Sequence, residues 1–162
     1  MAEHLIAVHS SLTLAAATTI TDNALQLRRE LGLLPLSVMV LDAGGNVVSF
    51  RREDGCGLLR HDIAMGKAWA ALGMGMSTRQ IRDRLSNRPT FQAALAAASG
   101  GRFIPTPGGV LILNAHGQAI GAVGISGDAS DKDEFCAIEA VRAAELQPEP
   151  DQPSPNWNEA GL

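Results

Sequence analysis

The sequence predicts a single α+β domain with a mostly antiparallel sheet, and two hairpin patterns are the main reason. LDAGGNVV at residues 41–48 and LNAHGQAI at residues 113–120 each place apolar runs on both sides of a short turn that contains glycine. Glycine supplies the positive φ that a tight hairpin turn requires. Segments with helical spacing flank both hairpins, and a chain of 162 residues with 46% hydrophobic content can bury one core.

The first half of the chain is predicted to form a helix, a hairpin and a second helix. Ser10 or Ser11 can cap the first helix, and Gly32 ends it. The strand after the first turn alternates in character, with Val48 and Phe50 on one face. The predicted elements are a helix over 11–31, strands over 36–41 and 46–52, and a helix over 58–76.

The second half of the chain predicts shorter helices, a second hairpin and a final helix. Gly121 and Gly124 lie inside the last predicted strand, where glycine indicates a bulge or a close neighbour, either ligand or backbone. The predicted elements are a short helix through Leu85, a helix over 91–98, strands over 109–113 and 118–125, and a helix over 131–146.

The composition changes at residue 147, where four prolines alternate with acidic residues. We therefore predict a domain over residues 1–146, followed by a proline-rich C-terminal arm or a disordered tail over residues 147–162. Trp157 is the observation that favours an arm lying on a neighbouring subunit, because a tryptophan in a disordered tail would have nothing to pack on.

Charge and composition exclude several classes of protein. The net charge is −4 and no basic patch alternates with aromatic residues, so we expect no nucleic-acid partner and no membrane binding. The N-terminus lacks a basic region and a clear cleavage site, which predicts a cytoplasmic protein. Cys56 and Cys136 form no CxxC pair, so we expect free thiols and no metal site, although two cysteines leave a disulfide open.

One predicted helix carries two candidate catalytic residues. Lys67 has mostly small or apolar helical neighbours, so it is either a buried cation that awaits an anionic ligand or a side chain that extends to solvent. His61 precedes it between Arg60 and Asp62 and can act as an acid, a base or a metal ligand, although Asp62 can equally pair with a neighbour.

Two further groups of candidates follow in the second half. The backbone amides of Gly108 and Gly109 can meet an anion such as a carboxylate, or the two residues can form an ordinary turn. Asp133 and Glu134 open the last helix, where they either complement the helix dipole or move a proton. Ser126 lacks the GxSxG context of a hydrolase nucleophile.

Taken together, these motifs resemble the GlcG/HbpS-like family, also called the haem-degrading domain family. LDAGGNVVSF, DIAMGKAWAA, PGGVLIL, and GQAIGAVGISG with the acidic DKDE after it carry the resemblance, which runs from about residue 11 to about residue 145. The positions that match the family pattern are Asp42, Gly44, Gly45, Lys67, Gly108, Gly109, Gly121, Gly124, Ser126, Gly127, Asp133 and Glu134.

The resemblance implies a profilin-like three-layer α/β/α sandwich with a five-stranded antiparallel sheet. It also implies a homo-oligomer, as a dimer, tetramer or octamer, and it makes haem a candidate cofactor because some relatives bind it. This chain departs from haem-binding relatives in two respects. It shows no export signal, and residues 74–101 are polar and rich in arginine.

These departures favour a cytoplasmic protein that binds and transforms a small carboxylate-bearing metabolite in a catabolic pathway. The reaction would be lyase, hydratase or isomerase chemistry without a cofactor. Lys67 or the arginines would hold the anion, and the amides of Gly108 and Gly109 would polarise a carbonyl or stabilise an enolate. Asp133, Glu134 or His61 would move a proton. Asp42, Arg60 and Ser126 complete the set of ligand-binding candidates.

Two alternatives remain open. The first is a protein that binds haem or another tetrapyrrole, with His61 or a threonine as the axial ligand and arginines for the propionates. The second is a structural or regulatory oligomer without a small ligand, which the alanine-rich helices and the proline-rich arm favour.

Overall fold

Five strands form one antiparallel sheet in the computed structural model, which describes residues 5–162. The strands are β1 (Ser37–Asp42), β2 (Val47–Arg52), β3 (Gly109–Leu113), β4 (Ala119–Ser126) and β5 (Gln147–Glu149). Their order across the sheet is β2–β1–β4–β3–β5, and every neighbouring pair is antiparallel. The predicted α+β class, both hairpins and the five-stranded antiparallel sheet are therefore confirmed.

Residues 5–162 contain five α-helices, and three of them pack on the two faces of the sheet. The five helices are α1 (Leu14–Leu31), α2 (Leu59–Met74), α3 (Thr78–Leu85), α4 (Pro89–Ala98) and α5 (Ser130–Ala143), and a short 3-10 helix spans Trp157–Glu159. Helices α1 and α5 pack together on one face, while α2 packs on the other. The structure thus has the three layers that the resemblance implied.

Alternation along β1 divides the core between these layers. Val38 and Val40 point to α1 and α5, whereas Met39 and Leu41 point to α2. The face of α2 that meets the sheet carries alanines, among them Ala64 and Ala68, so the helix lies close to the strands. This close approach brings the side chains of α2 to the end of the sheet.

The first helix begins later than the sequence predicted. Thr13, rather than Ser10 or Ser11, is its N-cap, and the Thr13 side chain accepts a hydrogen bond from the Ala16 N–H. Ser11 instead donates to the carbonyl of Ile120 and accepts from the Ala43 N–H, which joins the N-terminal segment to the sheet. Gly32 ends the helix as predicted, with φ 64°.

Residues after Leu146 pack against the same chain. The short strand β5 lies at the edge of the sheet, where Pro148 is tolerated because it need not donate to a ladder. Farther along, Trp157 stacks on Phe135 with 3.7 Å between ring centroids. The boundary at residue 146 and an arm that reaches a neighbouring subunit stay predictions.

No helix within residues 5–162 is both long and apolar enough to cross a membrane. Residues 1–4, which contributed to the expectation of a cytoplasmic N-terminus, lie outside the described residues.

Candidate functional site

Lys67 lies on the face of α2 that meets the end of β4. Its side chain is 2% exposed, and its ammonium donates to the carbonyl of Ile125 at 2.8 Å and to Asp133 Oδ2 at 3.0 Å. Burial lowers the pKa of Lys67, while the neighbouring carboxylate of Asp133 opposes that shift. The lysine is thus a buried, paired cation.

Asp133 reaches this ammonium from the opposite layer. It lies in the first turn of α5, and its second carboxylate oxygen accepts from the Asp128 N–H at 3.0 Å. Burial raises the pKa of Asp133, and the ammonium of Lys67 opposes the rise. The ion pair therefore connects α2 and α5 around the end of the sheet.

Gly108 makes room for this ion pair. A Cβ atom at Gly108 would lie 2.8 Å from the Lys67 ammonium and 2.8 Å from the Ile125 carbonyl, and its φ of 118° disfavours other residues. The N–H of Gly109 donates to Thr78 Oγ1 at 2.8 Å. Both glycines thus serve close packing in this structure. The Gly109 N–H, which was expected to bind an anion, is instead hydrogen-bonded to Thr78.

Glu134 follows Asp133 but has a different environment. Its carboxylate is buried, and neither oxygen accepts a hydrogen bond from the described residues. Arg79 Nε lies 3.4 Å from Glu134 Oε1. Burial raises the pKa of Glu134 to about 7, although Arg79 partly offsets this. A carboxyl group with this pKa can accept or release a proton near neutral pH.

Arg79 is a partner that sequence inspection did not assign. It lies in α3 within the arginine-rich stretch, and its guanidinium also donates to the Gln152 carbonyl. Nearby, the Glu149 carboxylate accepts from the Ser77 N–H and from Gln80, each at 2.7 Å. The segment after β5 therefore helps to enclose Glu134, a role that no local signal in the sequence reveals.

His61 and Arg60 lie at the start of α2, and the charge of Arg60 contributes to lowering the pKa of Lys67. The side chain of His61 is 45% exposed, and its Nδ1 lies 3.2 Å from Asp62 Oδ1. The edge of its ring meets Phe50, with 4.9 Å between centroids and an interplanar angle of 89°. Arg60 donates to Ser126 Oγ at 3.3 Å. These residues form a second group, which we call the His61 face. His61 and Arg60 are partly exposed, whereas Ser126 is buried.

Asp42 joins neither group. In the β1–β4 register Asp42 pairs with Gly121, whereas Ser126 pairs with Ser37 at the other end of the strands. The Asp42 carboxylate accepts hydrogen bonds from the N–H groups of Gly44 and Asn46, each at 2.9 Å. In this structure it closes the hairpin turn.

The structure therefore divides the predicted site residues among three places. One place holds Lys67, Asp133, Gly108 and Gly109. Glu134 follows Asp133 in α5 and is paired with Arg79. His61, Arg60 and Ser126 form the His61 face, and Asp42 lies at the far end. In the described part of the chain, no group of three His, Cys, Asp or Glu residues is arranged to hold a metal ion.

A family model matches most of the chain. It is described as haem degrading protein HbpS-like, and it covers residues 12–142. One curated relative is an uncharacterised 15.0 kDa protein from the dhaT–dhaS intergenic region of Citrobacter freundii. It is 30% identical over 133 residues, which cover 82% of this chain and 91% of the relative.

Solved structures show the same fold. The crystal structure of a PduOC–haem complex superposes with a TM-score of 0.75 at 26% identity, covering 83% of this chain and 96% of PduOC. Klebsiella pneumoniae protein ORFY, of family DUF336, also gives a TM-score of 0.75 at 26% identity and covers 90% of this chain and 97% of its own. The residues after position 142 lie outside the family model.

Proposed function

The chain belongs to the HbpS-like haem degrading protein family, and on that premise we propose that it binds haem, or a related tetrapyrrole, at the His61 face. A haem complex is known for the similar structure of PduOC. The observation that carries the proposal is the half-exposed imidazole of His61 with its carboxylate partner. The free, buried thiols of Cys56 and Cys136 suit the reducing, cytoplasmic setting that we also propose.

Asp62 gives His61 the tautomer that iron requires. An ionised carboxylate can only accept, so the hydrogen bond with Asp62 places the proton of the neutral imidazole on Nδ1. The lone pair is then on Nε2. A carboxylate on the far nitrogen also orients the ring, as is common for metal-bound histidines. Nε2 of His61 is therefore free to bind the iron of haem.

The surroundings of His61 fit the rest of a haem group. Leu58 and Leu59, at the N-terminal end of α2, are 84% and 65% exposed, and the ring of Phe50 packs perpendicular to the imidazole. These apolar groups can cover the macrocycle. Arg60, which precedes His61 in α2, and Arg52, two residues after Phe50 in β2, are the candidate partners for two propionates, to which guanidinium groups bind well. When bound, haem would supply the redox chemistry of its iron.

A titration with haemin tests the assignment. We expect the Soret band to shift on binding to the native protein, and the apparent Kd to rise at least about tenfold in His61→Ala because the axial bond is lost. His116→Ala is the matched control, since His116 lies in the exposed β3–β4 turn. Equal affinity in native protein and His61→Ala would contradict the assignment.

The arginines are tested with a modified porphyrin. Arg60→Gln removes a charge from the proposed propionate site without touching His61. We expect weaker binding of haemin but unchanged binding of its dimethyl ester, because the ester has no carboxylates. If Arg60→Gln weakened the binding of haemin and of its dimethyl ester equally, Arg60 would act through the fold.

Glu134 favours a second candidate function, proton transfer on a small carboxylate-bearing metabolite. Its buried carboxyl group, which accepts no hydrogen bond from the described residues, has a pKa of about 7, and the Arg79 guanidinium that pairs with it can also bind an anion. In this candidate, Glu134 takes a proton from the carbon next to a carbonyl, and the electron pair of the broken C–H bond moves to the carbonyl oxygen as an enolate, the first step of many lyase, hydratase and isomerase reactions. Lys67 and Asp133 position the start of α5.

Exchange of carbon-bound hydrogen in D₂O tests this second candidate. We expect short 2-oxo acids to exchange faster in the presence of the protein, with a rate that increases as the pH rises through about 7, because the base must be ionised. Glu134→Gln should abolish the catalysed rate, whereas Glu139→Gln on the same helix should keep it. Exchange that is unaffected by Glu134→Gln rejects this candidate.

A further inference from the structure

A cleft between α2 and α4 lies outside both proposed sites. It has a volume of about 180 Å³ and is lined by Trp69, Gly73, Met74, Leu95, Ala98 and Phe103. Trp69 is eight residues after His61 on α2, which is about 12 Å along the helix axis. The lining is almost wholly apolar, with two aromatic rings. Neither the haem proposal nor the Glu134 candidate uses these residues.

One charged group stands at the rim of this cleft. The guanidinium carbon of Arg102 lies 4.7 Å from the centroid of the Trp69 ring. Arg102 Nε donates to the Ser99 carbonyl at 3.0 Å, and its two terminal nitrogens make no hydrogen bond to the described residues. Four N–H donors thus remain available beside an aromatic surface.

The rim is held in a defined geometry. The Ser99 side chain accepts from the Phe103 N–H at 3.0 Å, so Ser99 fixes both Phe103 and Arg102. Behind them, a Cβ at Gly66 would lie 2.8 Å from the Arg102 carbonyl, which shows that this segment packs directly on α2. Helix α4, by contrast, has no fully buried residue.

We propose that this cleft binds a small aromatic carboxylate of about the size of benzoate, with its ring between Trp69 and Phe103 and its carboxylate on Arg102. An apolar cavity of about 150 Å³ accommodates benzene in a protein core, so the volume here suits one ring with one small substituent. A planar carboxylate matches the paired donors of a guanidinium. The ring would supply van der Waals contacts that the apolar lining otherwise lacks.

Tryptophan fluorescence gives a direct test. The chain has two tryptophans, so Trp157→Phe leaves Trp69 as the single reporter, and phenylalanine can still stack on Phe135. In this background we expect a saturable change in emission with benzoate and a weaker one with benzyl alcohol. The additional variant Arg102→Gln should weaken benzoate binding at least about tenfold and leave benzyl alcohol unchanged.

Two alanine-to-methionine variants test whether the ligand lies inside the cleft. Ala98→Met places a longer side chain in the lining and should abolish binding of both ligands, whereas Ala97→Met, next to it but outside the lining, should bind both like the parent. His61→Ala should also bind benzoate like the parent, which separates this proposal from the haem site. Absence of saturation with benzoate overturns the proposal. Unchanged benzoate binding in Arg102→Gln or Ala98→Met also overturns it.

Discussion

Two consecutive acidic residues of α5 meet opposite environments. Asp133 receives an ammonium and a backbone N–H, whereas Glu134 has the Arg79 guanidinium beside it and no hydrogen bond from the described residues. Burying a carboxylate is costly unless hydrogen bonds replace its hydration. Asp133 is therefore suited to hold the fold together, and Glu134 to respond to pH or to a ligand.

Loss of the Lys67 ammonium should strongly destabilise the fold. We expect Lys67→Met to lower the free energy of unfolding by about 3–5 kcal/mol, because it leaves the Asp133 carboxylate buried without its partner. The double variant Lys67→Met with Asp133→Asn should recover part of the loss, since no charge is then buried alone. Denaturation in urea measures both. A double variant less stable than Lys67→Met would contradict the ion-pair explanation.

Glu134 should make stability depend on pH. Its pKa is raised from 4.5 to about 7 on folding, so the folded state holds a proton that the unfolded state has lost between these values. Stability should therefore fall as the pH rises from about 4.5 to 7 and level off above, by an amount of the order of 3 kcal/mol. Unfolding curves at several pH values should show a smaller fall in Glu134→Gln.

Glu139→Gln is the control for this pH dependence. Glu139 lies on the same helix, partly exposed, and pairs with Arg142. We expect this variant to keep the native pH profile. If Glu134→Gln and Glu139→Gln gave the same profile, Glu134 would not be the group that titrates.

At the level of elements, the packing of α2 on β4 sets the geometry of the site. A Cβ at Gly124 would lie 1.9 Å from the Ala64 carbonyl and 2.8 Å from the Ala68 N. The close neighbour predicted for Gly124 is thus the backbone of a helix. Only glycine permits this approach, and the approach allows Lys67 to reach the end of the sheet.

Gly124→Ala should therefore displace α2. We expect a loss of several kcal/mol in the free energy of unfolding, because a Cβ at that distance must push the two backbones apart. Gly57→Ala is the control, since the nearest atom to its added Cβ, in the Arg60 side chain, lies at 4.0 Å. Thermal unfolding compares the two, and equal midpoints would disprove the close approach.

Elements with strong local signals were predictable from the sequence, and those that depend on distant partners were not. Turn glycines and apolar alternation indicated β1 to β4, and Gly32 ended α1. Strand β5 is three residues with a central proline, and it exists because β3 offers an edge. Helix α1 was predicted to be capped by Ser10 or Ser11, but Thr13 is its cap. Ser11 is instead bonded to the carbonyl of Ile120, 109 residues away in sequence.

The same limit applies to the candidate site. Lys67 could be recognised as a cation on an apolar helix face, but its pairing with Asp133 spans 66 residues of sequence. Likewise, His61 could be recognised as a candidate from its side-chain chemistry, but the sequence gave no indication that Phe50 packs against its ring. The types of the reactive residues were readable, whereas their partners depended on how the layers stack.

Across the whole molecule, the segment after Leu146 joins elements that lie far apart in sequence. It pairs with β3, bonds to α3 through Glu149 and stacks Trp157 on α5. Within a homo-oligomer, which we propose, the same segment is the candidate arm between subunits. The two roles make different predictions for a truncated protein.

Removal of residues 153–162 should leave a folded domain. We expect cooperative unfolding with a loss of about 1–2 kcal/mol, mainly from the Phe135–Trp157 stack and the area it buries. Light scattering on the same protein decides the second role. An unchanged oligomeric mass means that the segment packs on its own chain, and a smaller mass means that it joins subunits.

The most direct test of the account is chemical rescue at the His61 face. His61→Gly removes the proposed axial ligand and leaves space for free imidazole. We expect the ferric haem complex of this variant to lose the resonance Raman and EPR signature of nitrogen ligation, and added imidazole to restore it. A spectrum that is identical in native protein and in His61→Gly without imidazole would contradict the assignment of His61 as the haem ligand.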